Sequence, residues 1–177
     1  MSTLRKSGNG RILNVTVAVA GLLFSAGLAY ADPETVAVRV TFVDPLEISG
    51  ASALQFGSLD QNLANLESVT VAPGGAVTDL ANRVQGGTQA SASLTVTATA
   101  GQAITIHVDS VLPGVGYSLT DFRCNYNSGT DSACDGAGYS GTSVANATLL
   151  VGATLTGDGT SVAGVADGSF EVTVSYQ

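Results

Sequence analysis

The chain contains one histidine and two cysteines, so few residues can carry nucleophilic or metal chemistry. His107 stands between Ile106 and Val108, where Ile104, Ile106 and Val108 alternate with Thr105, His107 and Asp109. Alternate residues of a strand point to opposite faces, which places the imidazole away from the isoleucines, exposed or at a rim. A Ser-His-Asp triad needs a nucleophile set against that ring, and no nucleophile-elbow sequence or second histidine supports one. Cys124 and Cys134 are too few for a zinc site, which takes four ligands. They flank nine residues, Asn125 to Ala133, rich in Asn, Ser, Gly and Asp, a composition that turns rather than packs. A disulfide stapling a hairpin loop is the expectation. Asp121, Asp131, Asp135, Asp158 and Asp167 fall in Gly/Ser/Asn loops, where carboxylates can hold Ca²⁺, but the fixed alternation of an EF-hand loop is missing. Solvated turn residues account for them better, and no metal or other cofactor is implied. The sequon Asn146-Ala147-Thr148 matters only in a host that glycosylates secreted proteins.

What must position these residues begins with an address. Arg5, Lys6 and Arg11 precede the apolar run Ile12–Leu28, and Ala29-Tyr30-Ala31 supplies the small-x-small pattern that a signal peptidase reads. Residues 1–31 therefore read as a secretory signal peptide cleaved after Ala31, leaving a single domain over 32–177. The run is too short, and too interrupted by Asn14 and Thr16, for a membrane anchor, since spans take about 20 apolar residues. No membrane span is expected once the signal is removed. An exported chain sits in an oxidising compartment where the cysteine pair can close. Beyond residue 31, three cations (Arg39, Arg83, Arg123) face all 14 acids, a balance that repels phosphates and excludes nucleic acid as a partner.

The rest of the chain reads as strands. Val36, Val38, Val40 and Phe42 alternate with Thr35, Ala37, Arg39 and Thr41, and Asp44-Pro45 ends the run. Further strands are predicted at Leu54–Leu59, Ser68–Ala72, Ser91–Thr99, Ala103–Val111, Tyr117–Tyr126, Ala147–Thr156 and Ser169–Tyr176. Gly101-Gln102 reads as a hairpin signal between two of them. Gly152, in the middle of a strand, marks a bulge or a close backbone approach. Gln61–Glu67 has helical flavour for one turn at most. Seven to nine short strands with turn signals between them predict an all-β antiparallel sandwich of immunoglobulin type. An outer-membrane barrel would need two aromatic girdles and strands of about ten residues, and only eight aromatics follow residue 31.

Amphipathic strands at both ends create exposed sheet edges, and exposed edges recruit partners by strand addition. At the C-terminus Tyr176 is penultimate, Phe170, Val172 and Val174 alternate before it, and Gly164 stands fourteenth from the end. This resembles the C-terminal strand of chaperone–usher pilins and of spore-coat-U-like secreted coat proteins. The resemblance implies a periplasmic chaperone paired with that strand, later replaced by the N-terminal extension of a neighbouring subunit. Val36, Val38, Val40 and Phe42 look like such an extension. Two features depart from the pilin pattern: the cysteine pair lies mid-chain, and the donor-like run lacks a central glycine.

A wider resemblance covers nearly all of residues 32–177. Pro45-Leu46-Glu47-Ile48, Phe56-Gly57 after Leu54, Leu149-Leu150-Val151-Gly152 and the stretch Gly168–Tyr176 follow in an order similar to the bacterial secreted family called domain of unknown function 4402. That resemblance implies a secreted β-sandwich and lends no catalytic residue. The expectation is an exported, non-enzymatic subunit of a cell surface or fibre, self-associating or chaperone-bound through its terminal strands. The alternative is a monomeric extracellular binding module or adhesin, working through its loops with or without Ca²⁺.

Overall fold

The computed structural model describes residue 37 and residues 39–177; the predicted signal peptide, Val36 and Val38 lie outside the described residues. Thr41–Gln177 forms one compact unit. Of the other unit, Met1–Val40, the described residues belong to no strand. The strands are β1 (Glu47–Ser52), β2 (Gln55–Leu59), β3 (Ser68–Val71), β4 (Val77–Asp79), β5 (Val84–Ala90), β6 (Ala92–Thr97), β7 (Ala103–Leu112), β8 (Tyr117–Tyr126), β9 (Ser132–Ala133), β10 (Tyr139–Thr142), β11 (Ala147–Gly157) and β12 (Ser169–Tyr176). All pairings are antiparallel and the described residues hold no helix, so the all-β sandwich is the fold.

Two layers enclose the core. The larger, seven-stranded sheet is organised around β11, which lies along β8 from Leu149↔Tyr126 to Gly157↔Tyr117. Its other edge is shared: Ala147–Val151 pair with β6 and Ala153–Thr156 with β3. Beyond these, β1 flanks β6, β4 flanks β3 and β9 flanks β8. The smaller sheet has the order β10-β7-β12, and β2 pairs with β5 in a separate two-stranded sheet. Between the layers lie Val96 of β6, Ile104 and Ile106 of β7, Cys124 of β8 and Leu149 and Val151 of β11, all fully buried. Each buried aliphatic of this size contributes roughly 1.5–3 kcal/mol relative to exposure.

Gly152 sits where β6 hands over to β3, and a side chain there would run into the Val71 carbonyl and, at 2.7 Å, the Pro73 nitrogen. The register against β8 also shifts between Gly152 and Thr154. The close-approach reading of that glycine therefore holds, whereas the bulge belongs to the facing strand, β8. The extra residue on β8 is Asp121, at φ 50°, and it lets Leu119 and Phe122 both face inward. Ser110, at φ 49°, plays the same part on β7 between Val108 and Val111.

Three expectations need correction. Gly101-Gln102 turns the chain, but β6 and β7 part into opposite sheets and form no hairpin. Ser143 spans the split: its hydroxyl accepts the Gln102 N–H at 2.9 Å and donates to the Thr99 carbonyl at 2.5 Å, occupying groups a hairpin would pair. The alternating run at 36–43 is no strand over its described residues 39–43, because no neighbouring strand lies beside them. Finally, β1, β4, β5, β9 and β10 are not among the expected strands, since they carry few apolar residues; pairing to β6, β3, β2, β8 and β7 orders them.

Candidate functional site

Cys124 and Cys134 form a disulfide, with their Cα atoms 5.7 Å apart and both residues fully buried. It fastens the β8–β9 hairpin, where Arg123 pairs with Ala133 and the Cys134 N–H donates to the Phe122 carbonyl. Within the enclosed loop, Asn125 Nδ2 donates to Asp131 Oδ1 and to the Gly129 carbonyl, each at 2.7 Å. Asp135 accepts the Phe122 N–H, and Asp158 accepts both the N–H and the hydroxyl of Thr160. That last pair of bonds, hydroxyl foremost, holds the Asp158 carboxyl below the usual range. These acids act as acceptors for local turns.

His107 faces away from the core, half-buried beside Thr173 of β12, with its ring lying over Gly138. Among the described residues it belongs to no cluster of three or more His, Cys, Asp or Glu side chains, and it does not line the main cleft.

That cleft, of about 580 Å³, lies elsewhere: between β2 and the N-terminal half of β12. Phe56, Leu94, Leu119, Leu155, Phe170 and Val172 supply its apolar walls. Phe170 packs on Phe122, with ring centroids 5.1 Å apart. Gly164 does not belong to β12; it lies in the loop before it, at φ 138°, and lines the cleft mouth. Val162 and Val165 of the same loop are 71% and 90% exposed. Along β12, Phe170, Val172, Val174 and Tyr176 share the inward face yet are only partly buried. Among the described residues, β12 pairs only with β7 and β2 only with β5. Other strands also have a free edge; what sets β2 and β12 apart is that their free edges border one apolar cleft.

The far end of β12 meets the chain's entry into the body. The Tyr176 hydroxyl accepts the Thr99 N–H at 2.8 Å and donates to the Asp44 carbonyl at 3.1 Å. The Asp44 N–H in turn donates to Thr99 Oγ1 at 2.6 Å. Just before this anchor, Phe42 is 90% and Val43 43% exposed, and Val40 is exposed as well. Sequence reading singles out Tyr176 and Phe42 as strand residues and marks Asp44 and Thr99 only as ends of runs, because their roles here depend on contacts between residues far apart in the chain.

A family model described as Domain of unknown function (DUF4402) matches residues 46–176. The chain belongs to this family. No curated protein and no solved structure matches it, so the likeness of β12 to the pilin strand has no further match behind it. In this DUF4402 domain the match spans the whole sandwich, from the residue before β1 to the end of β12, and starts after the exposed segment 39–43. Among the described residues no helix is long and apolar enough to cross a membrane.

One charged cluster supports the rim of the cleft in the DUF4402 domain. Arg83 reaches Glu67 Oε1 at 2.7 Å and Asp60 Oδ2 at 3.4 Å, pinning the connection from β2 to β3. Arg83 holds the Glu67 carboxyl below its usual range; the Asn62 N–H does so for Asp60, and the Val84 N–H for Asp79. Asp60 and the neighbouring Gln61 and Leu63 line the cleft, so this cluster shapes its wall.

Proposed function

We propose that this DUF4402 domain is an exported, non-enzymatic subunit that assembles by strand addition into a surface layer or fibre. The observation that carries the reading is a strand position left unfilled among the described residues. The order β1-β6-β11-β8 facing β7-β12 corresponds to the A-B-E-D and C-F strands of an immunoglobulin-type sandwich. In that arrangement a further strand lies beside the one in the β12 position. Here that place is the cleft, with half-buried apolar side chains along it. Backbone hydrogen bonds from an incoming strand supply affinity, and pockets for alternate side chains supply selectivity. The partner is a second copy of the chain, preceded during export by a periplasmic chaperone that covers the same edge.

The test is deletion of residues 32–43. Polymers are expected to vanish while a secretable, disulfide-bonded monomer persists; assembly unchanged by the deletion refutes strand addition through this segment. The cleft volume favours a second reading, since pockets of 300–1,000 Å³ commonly hold small ligands. A monomeric binding module would run as a compact monomer in sizing at every concentration and form no detergent-resistant ladder.

A further inference from the structure

We propose that the gap between β2 and β12 is the docking surface for residues 36–43 of a second copy, and that the Tyr176–Asp44–Thr99 latch denies it to the chain's own segment. This inference rests on the strand-addition reading and names its partner and its control.

Three observations lead to it. First, the fit is one of length and pattern. The free edge of β12 has eight residues, about 26 Å at roughly 3.3 Å per residue, its first half bordering the cleft, and Val36–Val43 has the same number with period-two apolar residues. Inserted in the gap, such a strand would join β10-β7-β12 to β2-β5 as one continuous sheet over the core.

Second, the chain's own segment starts close enough to compete. Asp44 is held at the Tyr176 end of β12, so a reversal at Asp44–Leu46 would lay residues 43 to 36 back along the gap.

Third, that reversal is blocked. The amide and carbonyl of Asp44 are both engaged, with Thr99 and Tyr176, and cannot close a turn. Pro45 biases Asp44 towards extended backbone, which directs the preceding residues onward rather than back. Phe42 is 90% exposed, available to another copy, and none of the described residues 39–43 lines the chain's own cleft.

The test compares the wild-type chain with Tyr176→Phe and with Tyr176→Phe/Pro45→Gly. The first keeps the ring and removes the hydroxyl; the second also removes the extended bias. Polymer yield is measured by sedimentation, and amide exchange of β12 is followed across a range of protein concentrations. In the wild type, the outward amides of β12 should exchange freely when dilute and become protected as concentration rises. In the double variant they should be protected at every concentration, with polymer yield down about tenfold and the single variant between the two. Wild-type β12 amides protected even at high dilution would overturn the proposal, as would a double variant that assembles and exchanges like wild type. If removal of residues 32–43 leaves polymers intact, strand addition itself fails; if it abolishes them while the double variant matches wild type, only the latch fails.

Discussion

Arg83 shows how much of the cleft depends on single side chains. Its guanidinium joins Glu67 and Asp60, and Glu67 Oε2 also accepts the Ala64 N–H, so one cation orders the connection leading into β3. The carboxyls of Asp60, Glu67 and Asp79 are all depressed. Groups depressed in the folded state stabilise it above their unfolded values and lose that contribution as pH falls through the native ones. Stability measured by urea unfolding should therefore be flat from pH 7 to 5 and decline below about pH 4. Arg83→Ala should lower the midpoint at neutral pH and weaken the acid decline without removing it. Glu67 owes its shift chiefly to Arg83, whereas Asp60 and Asp79 owe theirs to backbone N–H groups. An acid limb as steep in Arg83→Ala as in wild type would contradict this assignment. Gly152 offers a simpler case. A methyl there meets the backbone at Val71 and Pro73, atoms that cannot swing aside, so Gly152→Ala should cost about 1–3 kcal/mol in a denaturant melt. A neutral result would mean that β3 and β11 can separate locally.

At the scale of elements, the β8–β9 hairpin is held by its disulfide more than by its short ladder. Two residues of β9 pair with β8, and the loop between them is polar. Closing a loop of about ten residues removes unfolded-state entropy, so Cys124→Ser/Cys134→Ser should cost about 2–4 kcal/mol in urea unfolding. The same double change should leave the cleft intact, because neither cysteine lines it. Strands such as β6, β7, β11 and β12 were legible because period-two alternation is a local property that burial on one face enforces. The disulfide hairpin was legible because cysteines and turn residues announce themselves over a short window. β1 was not: Ile48 is its one large apolar residue, and its order comes from β6, far along the chain. The same limit hid the site. Phe170, Val172 and Tyr176 could be placed on one face from spacing alone. The cleft that Phe170 and Val172 border is made with Phe56, Leu94 and Leu155, and nothing in a one-dimensional pattern puts β2 beside β12.

For the whole molecule, the architecture amounts to a sandwich whose smaller layer is interrupted. The larger sheet has seven strands, and facing it are three strands and then two, with an apolar gap between the groups. Exposed apolar grooves of this kind are uncommon on monomers unless something covers them. Three cations against all 14 acids beyond residue 31 mean that copies repel at long range, so the proposed assembly requires backbone pairing and burial rather than charge attraction. A peptide can therefore stand in for the neighbour. Added to a chain lacking residues 32–43, a synthetic peptide of residues 35–43 should raise the melting temperature in a saturable way. The gain should follow mass action, about 2.7 kcal/mol at a hundredfold excess over its dissociation constant. The control is a peptide in which one residue is inserted between Val38 and Arg39. Since side chains alternate with period two, the insertion turns Val40 and Phe42 to the opposite face from Val36 and Val38 and should abolish most of the gain. Equal stabilisation by both peptides would mean that the gap recognises greasy sequence without register, and a sheet completed by one particular strand would then be the wrong description of how these subunits meet.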